Sequence, residues 1–178
     1  MPGFRILKKI CFWQPSFDLI KSIENLSFGT PLMIFLNYFI WVFFVFVSFL
    51  LVFKNINIFW MLFVATFIGE IIEKYGKSHA LWKRPFFSHH NHVPAGLVES
   101  WYETGSFPSG HTLKATYFFL FALQFGVISP VIFLAIVIPL LTFRVLVGFH
   151  YPLDMFGGAI FGFLLWFLVK IVSPYVFF

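Results

Sequence analysis

The apolar positions of this chain fall in five long blocks rather than in an alternating or one-sided pattern. The first runs from about Pro31 to Phe53 and carries no charge. The second runs from about Ile56 to Lys74 and ends in a charged run of Glu70, Glu73, Lys74 and Lys77. The third runs from Gly110 to Ser129, the fourth from Pro130 to Gly148, and the fifth from Pro152 to about Val172. A bilayer core about 30 Å thick takes roughly 20 apolar residues as a helix. The expected fold class is therefore all-α: a polytopic membrane helical bundle of about five transmembrane helices.

The connections are unequal. Lys54-Asn55 and Ser129-Pro130 read as tight turns. The loop at about 76–109 is long and polar and holds four of the six histidines, and long loops in compact domains tend to be functional or disordered. Residues 1–30 form an N-terminal segment, and 31–178 a membrane-embedded domain. In Pro15 to Leu26, the apolar Phe17, Leu19, Ile20, Ile23 and Leu26 mix with Asp18, Lys21 and Glu24. That spacing fits an interfacial amphipathic helix, or equally a short helix packed on the bundle. Gly158-x3-Gly162 offers a small-residue face for close packing within the bundle.

Composition agrees with lipid as the solvent. The chain has 178 residues, 60% hydrophobic and 11% charged, with 30 phenylalanines. Soluble domains carry about 25% charged residues. The single cysteine, Cys11, excludes an intramolecular disulfide. The net charge of +5 points to anionic lipid headgroups or a phosphate substrate, not to nucleic acid, because no soluble basic face can be drawn. No obligatory protein partner is indicated. Arg5, Lys8 and Lys9 are not followed by the apolar region of a signal peptide.

Threading five spans through a bilayer brings the end of the second, the start of the third, the end of the fourth and the start of the fifth to one face. Lys77, Arg84, His111, Arg144, His150 and Asp154 collect there. Arg, Lys and Asp each cost roughly 2.5–3.5 kcal/mol at mid-membrane, so their gathering marks a single site near the interface. A phosphoryl group in transfer spreads negative charge over three oxygens, and its catalysis is mostly positioning and electrostatics. Lys77, Arg84 and Arg144 supply cations, and Ser109-Gly110 opens the third span, where backbone N–H groups can receive an anion. His150 can attack phosphorus with Asp154 one helical turn on, and His111 can protonate the leaving oxygen. Taken singly, each cation also reads as a snorkelling side chain, and His150 with Asp154 as a capped helix start.

The stretches Lys77-x6-Arg84-Pro85, Pro108-Ser109-Gly110-His111 and Arg144-x5-His150-x3-Asp154 resemble the type 2 phosphatidic acid phosphatase superfamily. The resemblance implies a phosphohistidine at His150 supported by Asp154, with His111 as acid and then base for water. It implies Lys77, Arg84, Ser109, Gly110 and Arg144 as the phosphate cradle, with no metal or cofactor. Phe143 stands where the family has serine before the arginine, and the family commonly has six spans. The activity implied is that of a metal-independent hydrolase of phosphoric esters or anhydrides, acting on a membrane lipid. Lipid A 1-phosphate, phosphatidylglycerophosphate, undecaprenyl pyrophosphate and phosphatidic acid all fit. An acceptor hydroxyl in place of water would make a phosphotransferase, and a cradle without chemistry a lipid-phosphate scaffold.

Sidedness is pulled two ways. Arg5, Lys8, Lys9, Lys21, Lys74, Lys83 and Lys114 share the face of the site, which by the positive-inside rule points to the cytoplasm. Bacterial relatives acting on envelope lipids face the periplasm, and a periplasmic site in an inner membrane is the expectation adopted. Two secondary positions complete the set: Glu73, four residues before Lys77, can orient it, and Lys114, three after His111, can widen the cationic pocket. His79, His89, His90 and His92 read as a polar loop, with a metal site as the sharper alternative.

Overall fold

A computed structural model describes residues 2–14, 16, 22, 25–27, 29–79, 81–85 and 104–176. Among them stand six helices and no strand: α1 Pro2–Cys11, α2 Gly29–Lys54, α3 Ile58–Ser78, α4 Gly110–Phe125, α5 Pro130–Leu146 and α6 Pro152–Val176. The five apolar blocks thus each form one helix, with ends set by local chemistry. Asn55 accepts the backbone N–H of Asn57 at 2.9 Å and turns the chain between α2 and α3. α4 stops three residues short of Ser129–Pro130 because Gly126, at φ 61°, takes the left-handed conformation that ends a helix. Pro130 then opens α5, where a missing N–H costs nothing.

Each long helix turns one stripe inward. Ile40, Phe43, Phe44, Val47 and Leu51 of α2 meet Ile58, Met61, Leu62 and Ala65 of α3, and Leu113, Tyr117 and Phe121 of α4 lie between them. Phe133, Val137 and Leu140 of α5 and Leu165 and Val169 of α6 complete the core. The outer faces are apolar as well: Phe49, Phe53, Phe63, Phe67, Phe163 and Phe167 are exposed. Helices apolar all round are those of a membrane bundle. α6 closes on α4 through its two glycines. A Cβ on Gly158 would come within 3.0 Å of Thr112 Cβ, and one on Gly162 within 2.8 Å of Thr116 Cβ. The Gly-x3-Gly face is thus used for packing within the chain.

By length and composition, Pro31–Lys54 and Pro152–Ser173 can each cross a membrane, and Pro130–Leu146 is apolar but shorter. α4 has 16 residues, a rise of about 24 Å, and α3 ends in the charged run around Glu73.

The N-terminus carries a helix that the apolar blocks did not indicate. α1 lies at Pro2–Cys11, whereas most of the amphipathic stretch expected over Pro15–Leu26, including Phe17, Asp18, Leu19, Ile20, Lys21, Ile23 and Glu24, lies outside the described residues. His89, His90 and His92 lie outside them too. Where the chain is described again it is tied down: Gly105 N–H donates to Lys77 O at 3.1 Å and Ser106 N–H to Trp82 O at 3.2 Å.

Candidate active site

The end of α3, the start of α4, the end of α5 and the approach to α6 meet around a cavity of about 320 Å³. Lys77, Arg84, His111, Lys114, Arg144 and His150 line it together with Glu70 and Glu73, and α2 closes one side with Asn37, Tyr38 and Trp41. Ser109, Gly110 and Asp154 stand outside that lining.

His150 is held from one side. Its Nδ1 lies 3.0 Å from the Ser106 carbonyl oxygen and 3.5 Å from Asp154 Oδ2. A carbonyl only accepts, so Nδ1 carries the proton and the lone pair of the neutral ring is on Nε2. Burial pushes the His150 imidazole down from its ordinary value to about 4, against the pull of Asp154 in the other direction. Asp154 is itself fully buried. The Trp82 indole N–H donates to its Oδ1 at 2.8 Å and the Tyr151 backbone N–H to its Oδ2 at 2.7 Å.

His111 sits in the first turn of α4, buried and edge-on to Trp41 at 5.1 Å between ring centroids. Its Nε2 has no hydrogen-bond partner among the described residues, and neither has Arg144 Nε. Buried polar atoms are normally paired, so two unpaired ones on cavity-lining residues are positions where a bound anion or water could supply the partner. The Arg144 guanidinium, 1% exposed, donates to Asn37 Oδ1 at 2.8 Å and lies over the Phe149 ring at 5.5 Å. Arg84 donates to the Phe149 carbonyl at 3.2 Å. Burial lowers its pKa to about 10, with Asp154 and Glu73 opposing, so it stays charged at neutral pH.

The two lysines are clamped differently. Glu73 pairs with Lys77 and with Lys114 at 2.8 Å, and Glu70 reaches Lys114 at 2.8 Å. Lys114 also lies 5.2 Å from the Trp41 ring centre. The Glu73 carboxylate occupies the space a Cβ on Gly110 would need, so the missing side chain of Gly110 admits an internal carboxylate at the start of α4. Ser109 caps that helix, its Oγ accepting from Thr112 N–H at 3.4 Å. Phe143 packs against the buried cluster of Met33, Val147 and Phe149.

A family model described as the PAP2 superfamily matches residues 55–178. The chain belongs to the PAP2 superfamily. This is the type 2 phosphatidic acid phosphatase superfamily that the three motifs resemble, and it carries phosphatase-type activity on phosphate esters, often those of lipids. No curated protein and no solved structure matches the chain. Every motif residue lies inside the PAP2 match, and Asn37, Tyr38 and Trp41 lie before it.

Sequence reasoning missed four contributors. Ser106 acts through a backbone carbonyl, which has no sequence signature. Trp82 falls in the unspecified spacer between Lys77 and Arg84. Trp41 is one aromatic among many. Asn37 left a signal: it is the one carboxamide in a first span without charge, and a polar group there needs a partner inside the bundle.

Proposed function

We propose that this chain is an integral membrane lipid phosphatase that hydrolyses a lipid phosphate monoester or pyrophosphate through a phosphohistidine at His150. The observation that carries the reading is the state of that ring: Nδ1–H is tied to Ser106 O beside Asp154, which leaves the Nε2 lone pair on a residue that lines a cavity with four cations. Nε2 attacks phosphorus, and the lipid oxygen leaves with a proton from His111. Water then attacks the phosphohistidine, giving up its proton to His111, and inorganic phosphate departs with His150 restored.

Lys77, Arg84 and Arg144 hold the phosphate oxygens with Ser109 and Gly110 at the helix start, so the reaction runs without a metal. Phosphate must draw Lys77 away from Glu73, which makes Glu73 and Lys114 secondary members of the cradle. The helices α2 to α6 span the membrane, residues 1–30 lie at its surface, and the site faces the periplasm of a bacterial inner membrane. Lipid A 1-phosphate, phosphatidylglycerophosphate, undecaprenyl pyrophosphate and phosphatidic acid share the required chemistry: a phosphate at the interface on a chain that stays in lipid.

The test is phosphate release from that panel by purified protein in detergent, with and without EDTA and vanadate. At least one lipid should be hydrolysed at a rate that chelator leaves unchanged. Vanadate, which becomes five-coordinate like the transferring phosphoryl group, should inhibit at roughly micromolar concentration. No release from any lipid, or a rate lost to EDTA and restored by one divalent metal, would overturn the reading.

A further inference from the structure

The carboxylate behind His150 is held by a residue that belongs to no motif. Besides the nearby His150 ring, two donors among the described residues reach the two oxygens of Asp154. Tyr151 N–H fixes Oδ2, the oxygen nearer His150, and the Trp82 indole N–H fixes Oδ1. One bond alone would leave the carboxylate free to rotate about it, whereas the second sets its plane. Trp82 also acts through its backbone: its carbonyl accepts Ser106 N–H at 3.2 Å, and Ser106 supplies the carbonyl that takes His150 Nδ1–H. Both acceptors near that proton therefore depend on Trp82.

Trp82 lies in a non-helical stretch, so ring contacts hold it instead. Phe12, just beyond α1, meets it edge-on with centroids 5.3 Å apart, and Phe107 lies tilted against it, also at 5.3 Å. Phe12 also meets Tyr151 edge-on at 5.2 Å. A single side chain from the N-terminal segment thus touches both residues that donate to Asp154, and it comes from outside the stretch matched to the family.

We propose that Trp82 is a positioning residue for the His150–Asp154 pair, and that Phe12 clamps it in place. The inference rests on the phosphohistidine reading. Trp82 is not among the residues lining the cavity, so it acts on the catalytic step and not on substrate binding. The experiment uses full-length Trp82→Phe, Phe12→Ala and Asp154→Asn, and the first two each combined with Asp154→Asn. Steady-state rates and acid-labile phosphate on the protein in single turnover are measured.

Trp82→Phe keeps a ring and loses the N–H, so kcat and the rate of phosphoenzyme formation should both fall on the order of ten-fold while KM stays within about two-fold. Phe12→Ala should lower kcat a few-fold in the same sense, as loss of an aromatic contact does. In the Asp154→Asn background neither change should cost anything further, because residues acting through one another are not additive. Full multiplication of the effects, or a rise in KM at constant kcat, would overturn the positioning role. A wild-type protein that never carries acid-labile phosphate would overturn the phosphohistidine itself. A wild type that does, with a Trp82→Phe variant matching it, would overturn only the role of Trp82. Should Trp82→Phe fail to stay folded by thermal unfolding, Phe12→Ala and its double variant decide the question in its place.

Discussion

Lys77, Arg84, His111, Arg144 and His150 all lie within residues 55–178, whereas Asn37 and Trp41 of α2 and Phe12 beyond α1 precede that stretch. The first set is ionisable and the second is neutral, yet the second set contacts the first or its supports. Asn37 accepts from Arg144, Trp41 faces both His111 and Lys114, and Phe12 backs Trp82 and Tyr151. A buried charge is costly until it has a partner. The family-matched stretch therefore brings the ionisable groups of the cavity, and the stretch before it supplies an acceptor and rings that contact them or their supports. A motif captures the first and is blind to the second.

The comparison breaks most sharply at the histidines. On the proposed mechanism, His150→Ala takes away the nitrogen that attacks phosphorus and should lower turnover on the order of a thousand-fold or more, on lipid and activated aryl phosphates alike. His111→Ala should be nearly as damaging on lipid substrates, but should recover part of its first-step rate with an aryl phosphate, whose leaving group needs no proton. Asp154→Asn should be impaired on both. These are measured as single-turnover release together with acid-labile phosphate on the protein. Phosphoenzyme in His150→Ala, or none in His111→Ala with the aryl substrate, would reverse the assignments.

The neutral set makes a smaller but sharper test. Asn37→Leu keeps the volume and removes the oxygen that accepts from Arg144. Loss of a hydrogen bond to a buried charged group costs about 1.5–3 kcal/mol. The vanadate inhibition constant should therefore rise about ten-fold or more, with His150 and His111 unchanged. An unaltered constant would mean that Arg144 is placed without help from α2, and the division between the two stretches would lose its main support.

How far the sequence could be read follows the same line. Five apolar blocks became five helices because each is long enough to form one and carries a stripe that packs into the common core. The collection of Lys77, Arg84, His111, Arg144 and His150 at one end followed from alternating the direction of those helices, and they line one cavity. What stayed hidden was whatever acts without a distinctive side chain or across an unspecified spacer. Ser106 serves through its carbonyl. The Glu73 carboxylate lies against Gly110, where the sequence pointed to room for a bound anion. α1 escaped notice because ten residues mixing Arg5, Lys8 and Lys9 with apolar positions are too short to stand out as a span.

The smallest expected effect concerns the proton on His150. Burial lowers its folded value to about 4, while an unfolded chain holds histidine near 6.5. Above about pH 6.5 neither form binds a proton there, so the contribution to stability is fully present. Between the two values the unfolded chain takes up a proton that the folded chain refuses, and stability falls as pH drops through that window. Thermal unfolding in detergent should then show the wild type losing roughly a few degrees more than His150→Gln between about pH 7.5 and about pH 5. Groups common to the two proteins cancel in the difference. If the pull of Asp154 outweighed burial, the histidine would gain its proton on folding and the difference would change sign. The Phe12→Ala background sharpens the point. Loosening the clamp on Trp82 and Tyr151 should admit water near the pair, raise the folded value toward 6.5 and shrink the difference, which an N-terminal segment without influence on the site could not do.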